Sequence, residues 1–129
     1  MAVSKVISPT IVQKITPTLV TDSPNYEITL ANGVYNFHVV RCGKIVQVDA
    51  IFKPYANGTP AINFPGEKIA SGLPKSAQAV TAAFPRSFNT SANFVSMAVN
   101  MVENSGDLYL RYGSGGLNYT VHFTYITSE

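Results

Sequence analysis

The chain has 129 residues, enough for one domain with a single buried core. Only 12% of them are charged, about half of the ~25% usual in soluble proteins, so the polar surface comes largely from Asn, Ser and Thr. The nine Lys and Arg are scattered and the net charge is +2, which leaves no clustered basic face for counterion-driven nucleic-acid binding.

Residues 1–17 read as an N-terminal arm or linker, and residues 18–129 as the domain. Within the arm, Ile11 to Ile15 suits a short strand, and Pro9 and Pro17 on either side place it at a sheet edge. No apolar run long enough for a signal peptide precedes it, and no stretch approaches the ~20 apolar residues of a membrane span. The expectation is a soluble protein, without membrane insertion, made in the cytoplasm and not exported by the classical route.

Tyr26 to Leu30 alternates, with Tyr26, Ile28 and Leu30 on one face. Asn32-Gly33 follows, the pair favoured in type I′ hairpin turns because both positions need positive φ. Val34 to Arg41 then places Tyr35, Phe37 and Val39 inward, with Asn36 and His38 outward. After a turn at Cys42-Gly43-Lys44, Ile45 to Lys53 turns Val46, Val48, Ala50 and Phe52 inward and Gln47 and Asp49 outward. Ile45 and Ile51 share that outer face, which suggests that it is partly covered.

Asn57-Gly58 reads as a turn, Ile62 to Ile69 as holding a short strand, and Ala70 to Gln78 as a loop. Ala79 to Phe84 is an apolar run compatible with strand or short helix. Phe94 to Val102 is apolar on both faces, as a central or interface strand would be. A turn at Asn104 to Asp107 leads into Leu108 to Tyr112, with Leu108, Leu110 and Tyr112 inward and Tyr109 and Arg111 outward. A glycine-rich break, Gly113 to Gly116, precedes Leu117 to Thr127, whose odd positions face the core. These last two segments read as a closing hairpin. The pattern of about eight short strands predicts an all-β fold, an antiparallel β-sandwich or jelly roll.

Catalytic chemistry is sparse. A nucleophilic triad needs a poised nucleophile and a base held by a carboxylate. His38 and His122 are the only histidines and fall at outward strand positions, with Asp49 and Asp107 as the nearest plausible carboxylate partners, but no motif places a serine. The scattered acids and the lone Cys42 give no metal-ligand spacing and no disulfide. The expectation is a protein that is not an enzyme and has neither metal nor cofactor. What remains is recognition. Tyr109, Arg111, Asn118 and His122 are expected to project from the outer face of the closing hairpin, where an aromatic face and directional donors suit a saccharide. The alternative for these four residues is a solvated face or a subunit contact.

The segment Arg41-Cys42-Gly43-Lys44-Ile45-Val46-Gln47-Val48 has the form R-x-G-x-x-V-x-V. It is followed by Ile69-Ala70-Ser71-Gly72-Leu73-Pro74, the strand Phe94 to Val102, the turn-strand Gly106-Asp107-Leu108-Tyr109-Leu110, and Phe123-Thr124-Tyr125-Ile126-Thr127. This order, covering about Tyr35 to Thr127, resembles the distal head domains of tail-fibre and baseplate receptor-binding proteins in phages of Gram-positive bacteria. The resemblance implies a trimeric β-sandwich or jelly-roll head in the virion tail or baseplate, contacting other virion proteins and binding host cell-surface saccharide reversibly. The alternatives are a structural virion module (capsid, decoration or baseplate) without glycan binding, and a cellular lectin-like domain.

Overall fold

The computed structural model describes residues 11–55, 63–84, 97–112 and 118–129, among which there are strands and no helix. In chain order the strands are β1 (Val12–Ile15), β2 (Thr18–Leu19), β3 (Tyr26–Ile28), β4 (Leu30–Ala31), β5 (Val34–Tyr35), β6 (Phe37–Cys42), β7 (Ile45–Pro54), β8 (Glu67–Ser71), β9 (Val80–Phe84), β10 (Met97–Met101), β11 (Leu108–Tyr112) and β12 (Tyr119–Ile126). They form two antiparallel five-stranded sheets and one two-stranded hairpin. The first sheet runs β1-β6-β7-β12 with β3 also on β7, and the second runs β2-β8-β11-β10-β9. In the second sheet the order β8-β11-β10-β9 is that of a Greek key, three consecutive strands with a fourth returned beside the far one.

The inward faces of the sheets make one core. Phe37, Val46, Val48, Phe52, Val121 and Phe123 come from the first sheet, and Ile69, Met97, Val99, Met101, Leu108 and Leu110 from the second. This is the expected β-sandwich, and the alternation in β7 and β12 matches it position by position: Val46, Val48, Ala50 and Phe52 are buried, as are Tyr119, Val121, Phe123 and Tyr125. The strand expected in the N-terminal arm is β1, an edge strand paired with β6.

Two expectations change, and a third, left open by the sequence, is decided. The Asn32-Gly33 turn forms, with φ of 54° and 79°, but its hairpin is only two residue pairs long, Leu30 with Tyr35 and Ala31 with Val34. Its flanks do not continue the pairing. β3 and β6 both lie along one edge of β7, meeting at Ile51, whose carbonyl accepts from Thr29 N at 3.0 Å and whose N–H donates to Asn36 O at 2.9 Å. Asn36 Nδ2 donates to Thr29 Oγ1 at 2.8 Å and closes the neck. The hairpin therefore projects from the sheet; Tyr35, expected inward, is 37% exposed, and Leu30, expected on the face of the buried Tyr26 and Ile28, is 57% exposed.

Second, β11 and β12 are not a hairpin. β11 lies between β8 and β10 in the second sheet, while β12 pairs with β7 over its full length in the first. Alternation gives a strand's faces and not its partner. An eight-residue register with β7 outcompetes the short local pairing that β11 would offer. Third, Ala79 to Phe84 resolves as strand β9 against β10, because tertiary pairing overrides the alanines' helix preference. The sequence's Asn57-Gly58 turn, the Gly113 to Gly116 break, and Phe94 and Val95 lie outside the described residues.

One buried phenol ties β12 to the β8–β9 connection. Tyr125 donates from its hydroxyl to Pro74 O at 2.7 Å. Burial, helped by the charge of Glu129 and opposed by Arg41, pushes its acid dissociation far above the ordinary tyrosine range. A group whose folded pKa is raised keeps its full contribution below its unfolded value of about 10 and loses it as pH rises beyond. Tyr125→Phe is therefore expected to cost about 1–2 kcal/mol at neutral pH by orphaning the Pro74 carbonyl. The deficit should shrink above about pH 10, as read from urea midpoints of both proteins across pH 7 to 11.

Candidate functional site

The outer face of the first sheet is built in rows by the strand registers. His38 on β6 pairs with Asp49 on β7, and Asp49 pairs with His122 on β12, so a carboxylate stands between two imidazoles across three strands. Lys14, Val40, Gln47 and Thr124 form the next row, and Val12, Cys42, Ile45 and Ile126 the one after. All these side chains have the parity opposite to the core positions, which is why the sequence places them outward.

Asp49 is the organising residue. Its Oδ2 accepts from Gln47 Nε2 at 2.9 Å, and its Oδ1 meets Nδ1 of His122. The Gln47 hydrogen bond is the main influence holding its carboxyl below the ordinary range; partial burial opposes it, and His122 and His38 add to it. Asp49 is thus an anion at neutral pH, and with side chains 44% and 61% exposed the Asp49–His122 pair remains accessible. Such a surface pair contributes little to stability, so its value lies in presenting oriented polar atoms.

Two depressions adjoin this row at its His38 end. One, about 170 Å³, is lined by Asn36, His38, Asp49, Ile51 and Thr120 among others. The other, about 210 Å³, lies between the projecting β4–β5 hairpin and the β1–β2 corner, with Lys14, Thr16, Val34, Tyr35 and His38 in its wall. His38 lines both, so the two adjoin at that residue and are together called the groove, with the exposed Tyr35 in the wall of one and Thr120 in the wall of the other.

The four residues singled out in the sequence do not converge. His122 is exposed on this face, and Asn118 is exposed just before β12. Tyr109 and Arg111 lie on the outer face of the second sheet, on the far side of the sandwich. Arg111 is also occupied there. Its guanidinium carbon is 5.7 Å from the centre of the Phe64 ring, and its Nη2 donates to Asn100 Oδ1 at 3.4 Å. Asn100 is fully buried, accepts from Thr81 Oγ1 at 2.9 Å and donates from Nδ2 to Pro65 O at 2.9 Å. This network fastens the segment before β8 over the second sheet, so Arg111 is an anchor of the fold. Tyr109 is half-buried beside it, in register with Asn100 and Lys68.

Asn36, His38, Asp49, Thr120 and Tyr35 line the groove and lie outside the saccharide-binding set nominated from the sequence. Outward parity marked Asn36, His38 and Asp49. What brings them to His122 is the β7–β12 pairing, which no local signal encodes. Among the described residues no group of three or more His, Cys, Asp or Glu is arranged to hold a metal ion. Comparison with protein-family models, with curated proteins and with solved structures gives no match.

Proposed function

We propose that the protein is a receptor-binding head of a phage tail or baseplate, and that it attaches to host cell-surface saccharide through the groove on its first sheet. The observation that carries this reading is the His38–Asp49–His122 row, in which His38 and Asp49 line one shallow depression and His38 also lines a second. An ionised carboxylate accepts hydrogen bonds from sugar hydroxyls, imidazoles both donate and accept, and Thr120 and Asn36 add neutral partners. Tyr35 offers an aromatic face at the groove's end. Depressions of about 170 and 210 Å³ are smaller than the ~300–1,000 Å³ of pockets that enclose drug-sized ligands. That scale suits one or two rings of a surface polymer bound reversibly. The low charge content and the resemblance of the Arg41 to Val48 segment and its successors to tail-fibre heads support the same reading. On it the protein is a jelly-roll head, trimeric in the virion beside other virion proteins, and a binding module without catalysis or cofactor.

A second reading, a structural virion module without glycan affinity, is favoured by the exposed aliphatic side chains Val12, Ile45 and Ile126, which share a row with the half-buried Cys42. Sedimentation with purified Gram-positive cell walls separates the two. The saccharide reading expects wild type to co-sediment. It expects Asp49→Ala, which removes the acceptor and releases His122, to weaken binding by about tenfold or more, the value of one charge-assisted hydrogen bond. Absence of wild-type binding across walls and a glycan array would favour the structural module.

A further inference from the structure

His122 has two ring nitrogens, and one of them is committed within the chain. Its Nδ1 meets Oδ1 of Asp49, while Gln47 Nε2 donates to the other carboxylate oxygen at 2.9 Å. The Gln47 hydrogen bond first of all, helped by His122 and His38 and opposed by partial burial, keeps the Asp49 carboxyl below its ordinary range. At neutral pH Asp49 is therefore a carboxylate, which accepts hydrogen bonds and donates none. The proton in this contact must then sit on Nδ1 of His122. A neutral ring carries a single N–H, so Nε2 is left bare. It is an acceptor on a side chain that is 61% exposed and within a ligand's reach.

We infer that Asp49 holds His122 in its Nδ1–H form, and that His122 is the pH-dependent specificity residue of this face, its Nε2 an acceptor toward saccharide hydroxyls at neutral pH and a donor on acidification. Asp49 and Gln47 act on it as positioning residues. The state of the ring rests on the geometry of the row alone, and its effect on binding rests on the proposed function. Imidazole is the side chain whose charge ordinarily changes between about pH 5 and 8. As both rings gain a proton, the row passes from one negative charge, that of Asp49, to a net single positive charge, two imidazolium ions against one carboxylate. Both changes act against a hydroxyl-rich ligand. Nε2 stops accepting, and the imidazolium of His38, in register beside Asp49, competes for the carboxylate's remaining lone pairs. Among the described residues, the other charged groups on this face stand farther off. Lys14 of β1 is in the adjoining row, and Lys53 of β7, in register with Glu27 of β3, lies two outward positions beyond Asp49. β9, which approaches β12, has no titratable side chain, and β12 has no other on its outer face.

The first step of the test needs no ligand. Imidazole nitrogen resonances of isotope-labelled protein at about pH 7.5 distinguish a protonated ring nitrogen from a bare one. Wild type is expected to carry the His122 proton on Nδ1 with Nε2 bare. Asp49→Ala, which removes the acceptor, is expected to show exchange between both forms. The second step titrates soluble cell-wall polysaccharide fragments at about pH 7.5 and about pH 5.5. Wild type is expected to bind about fivefold more weakly at the lower pH, the worth of one hydrogen bond. His122→Gln, whose side chain cannot gain a charge, is expected to lose most of that difference. A wild-type ring protonated on Nε2, or an Nδ1 proton that Asp49→Ala leaves in place, overturns the inference. So does wild-type binding that is equal at the two pH values, or that falls as much in His122→Gln. Fragments that bind wild type at neither pH count against the proposed function, and the ring assignment then decides this inference.

Discussion

Phe52→Ala is expected to destabilise the protein by about 3–5 kcal/mol, the range for truncating a large aromatic in a packed core. Phe52 is fully buried on β7 at the position where three strands meet, opposite Ile28 of β3 on one side and Tyr119 of β12 on the other. Its ring packs edge-on against Tyr26 at 6.4 Å and against Phe37 at 6.0 Å. Those partners come from the two strands that share one edge of β7, so the ring fills the joint left where β3 ends and β6 begins. Backbone pairing on both sides keeps the joint from collapsing, and most of the ring's volume would remain as cavity. Urea unfolding should show a lower midpoint with an unchanged slope. A loss below about 1 kcal/mol would mean that the joint is not packed as described.

Gly66→Ala is expected to cost about 3–4 kcal/mol, combining left-handed strain with overpacking. Gly66 has φ of +106°, and a Cβ there would lie 2.3 Å from Leu110 O and 2.9 Å from Arg111 Cγ. The carbonyl belongs to the β11 backbone, held on both sides by β8 and β10, and cannot yield. The segment before β8 would have to lift instead. Lifting it breaks the Asn100–Pro65 hydrogen bond and parts Phe64 from Arg111, and leaves the buried Asn100 amide without its acceptor. Urea unfolding checks this. A cost under about 1 kcal/mol would show that the segment sits farther from β11 than described.

The contrast between these residues and the nominated site shows what a sequence encodes locally. The inward set of β7 and the turn at Asn32-Gly33 were readable because alternation and positive φ are properties of a few consecutive residues. Which strand lies beside which was not. Tyr109, Arg111, Asn118 and His122 share an outward parity, yet two sit on each outer face, because β11 and β12 found partners in different sheets. Arg111 illustrates a second limit: a charged outward residue reads as solvated, and nothing nearby announces that Phe64 and Pro65 fold over it. The Asp49–His122 pair is the converse, two outward residues far apart in the chain that one register places side by side. Of the two apolar outer positions that suggested a partly covered face, Ile51 is half-buried, while Ile45 is 55% exposed among the described residues; the apolar outer positions were visible in the sequence, but how far each is covered was not.

On the proposed function, the first sheet's outer groove binds saccharide. The most direct test is a titration of isotope-labelled protein with soluble cell-wall polysaccharide fragments, following amide and imidazole resonances residue by residue. The groove predicts saturable shifts centred on Asn36, His38, Asp49, Thr120 and His122, with Tyr109 and Arg111 unmoved. Shifts centred on Tyr109 and Arg111, or no shifts at all with fragments from any Gram-positive wall, would contradict it.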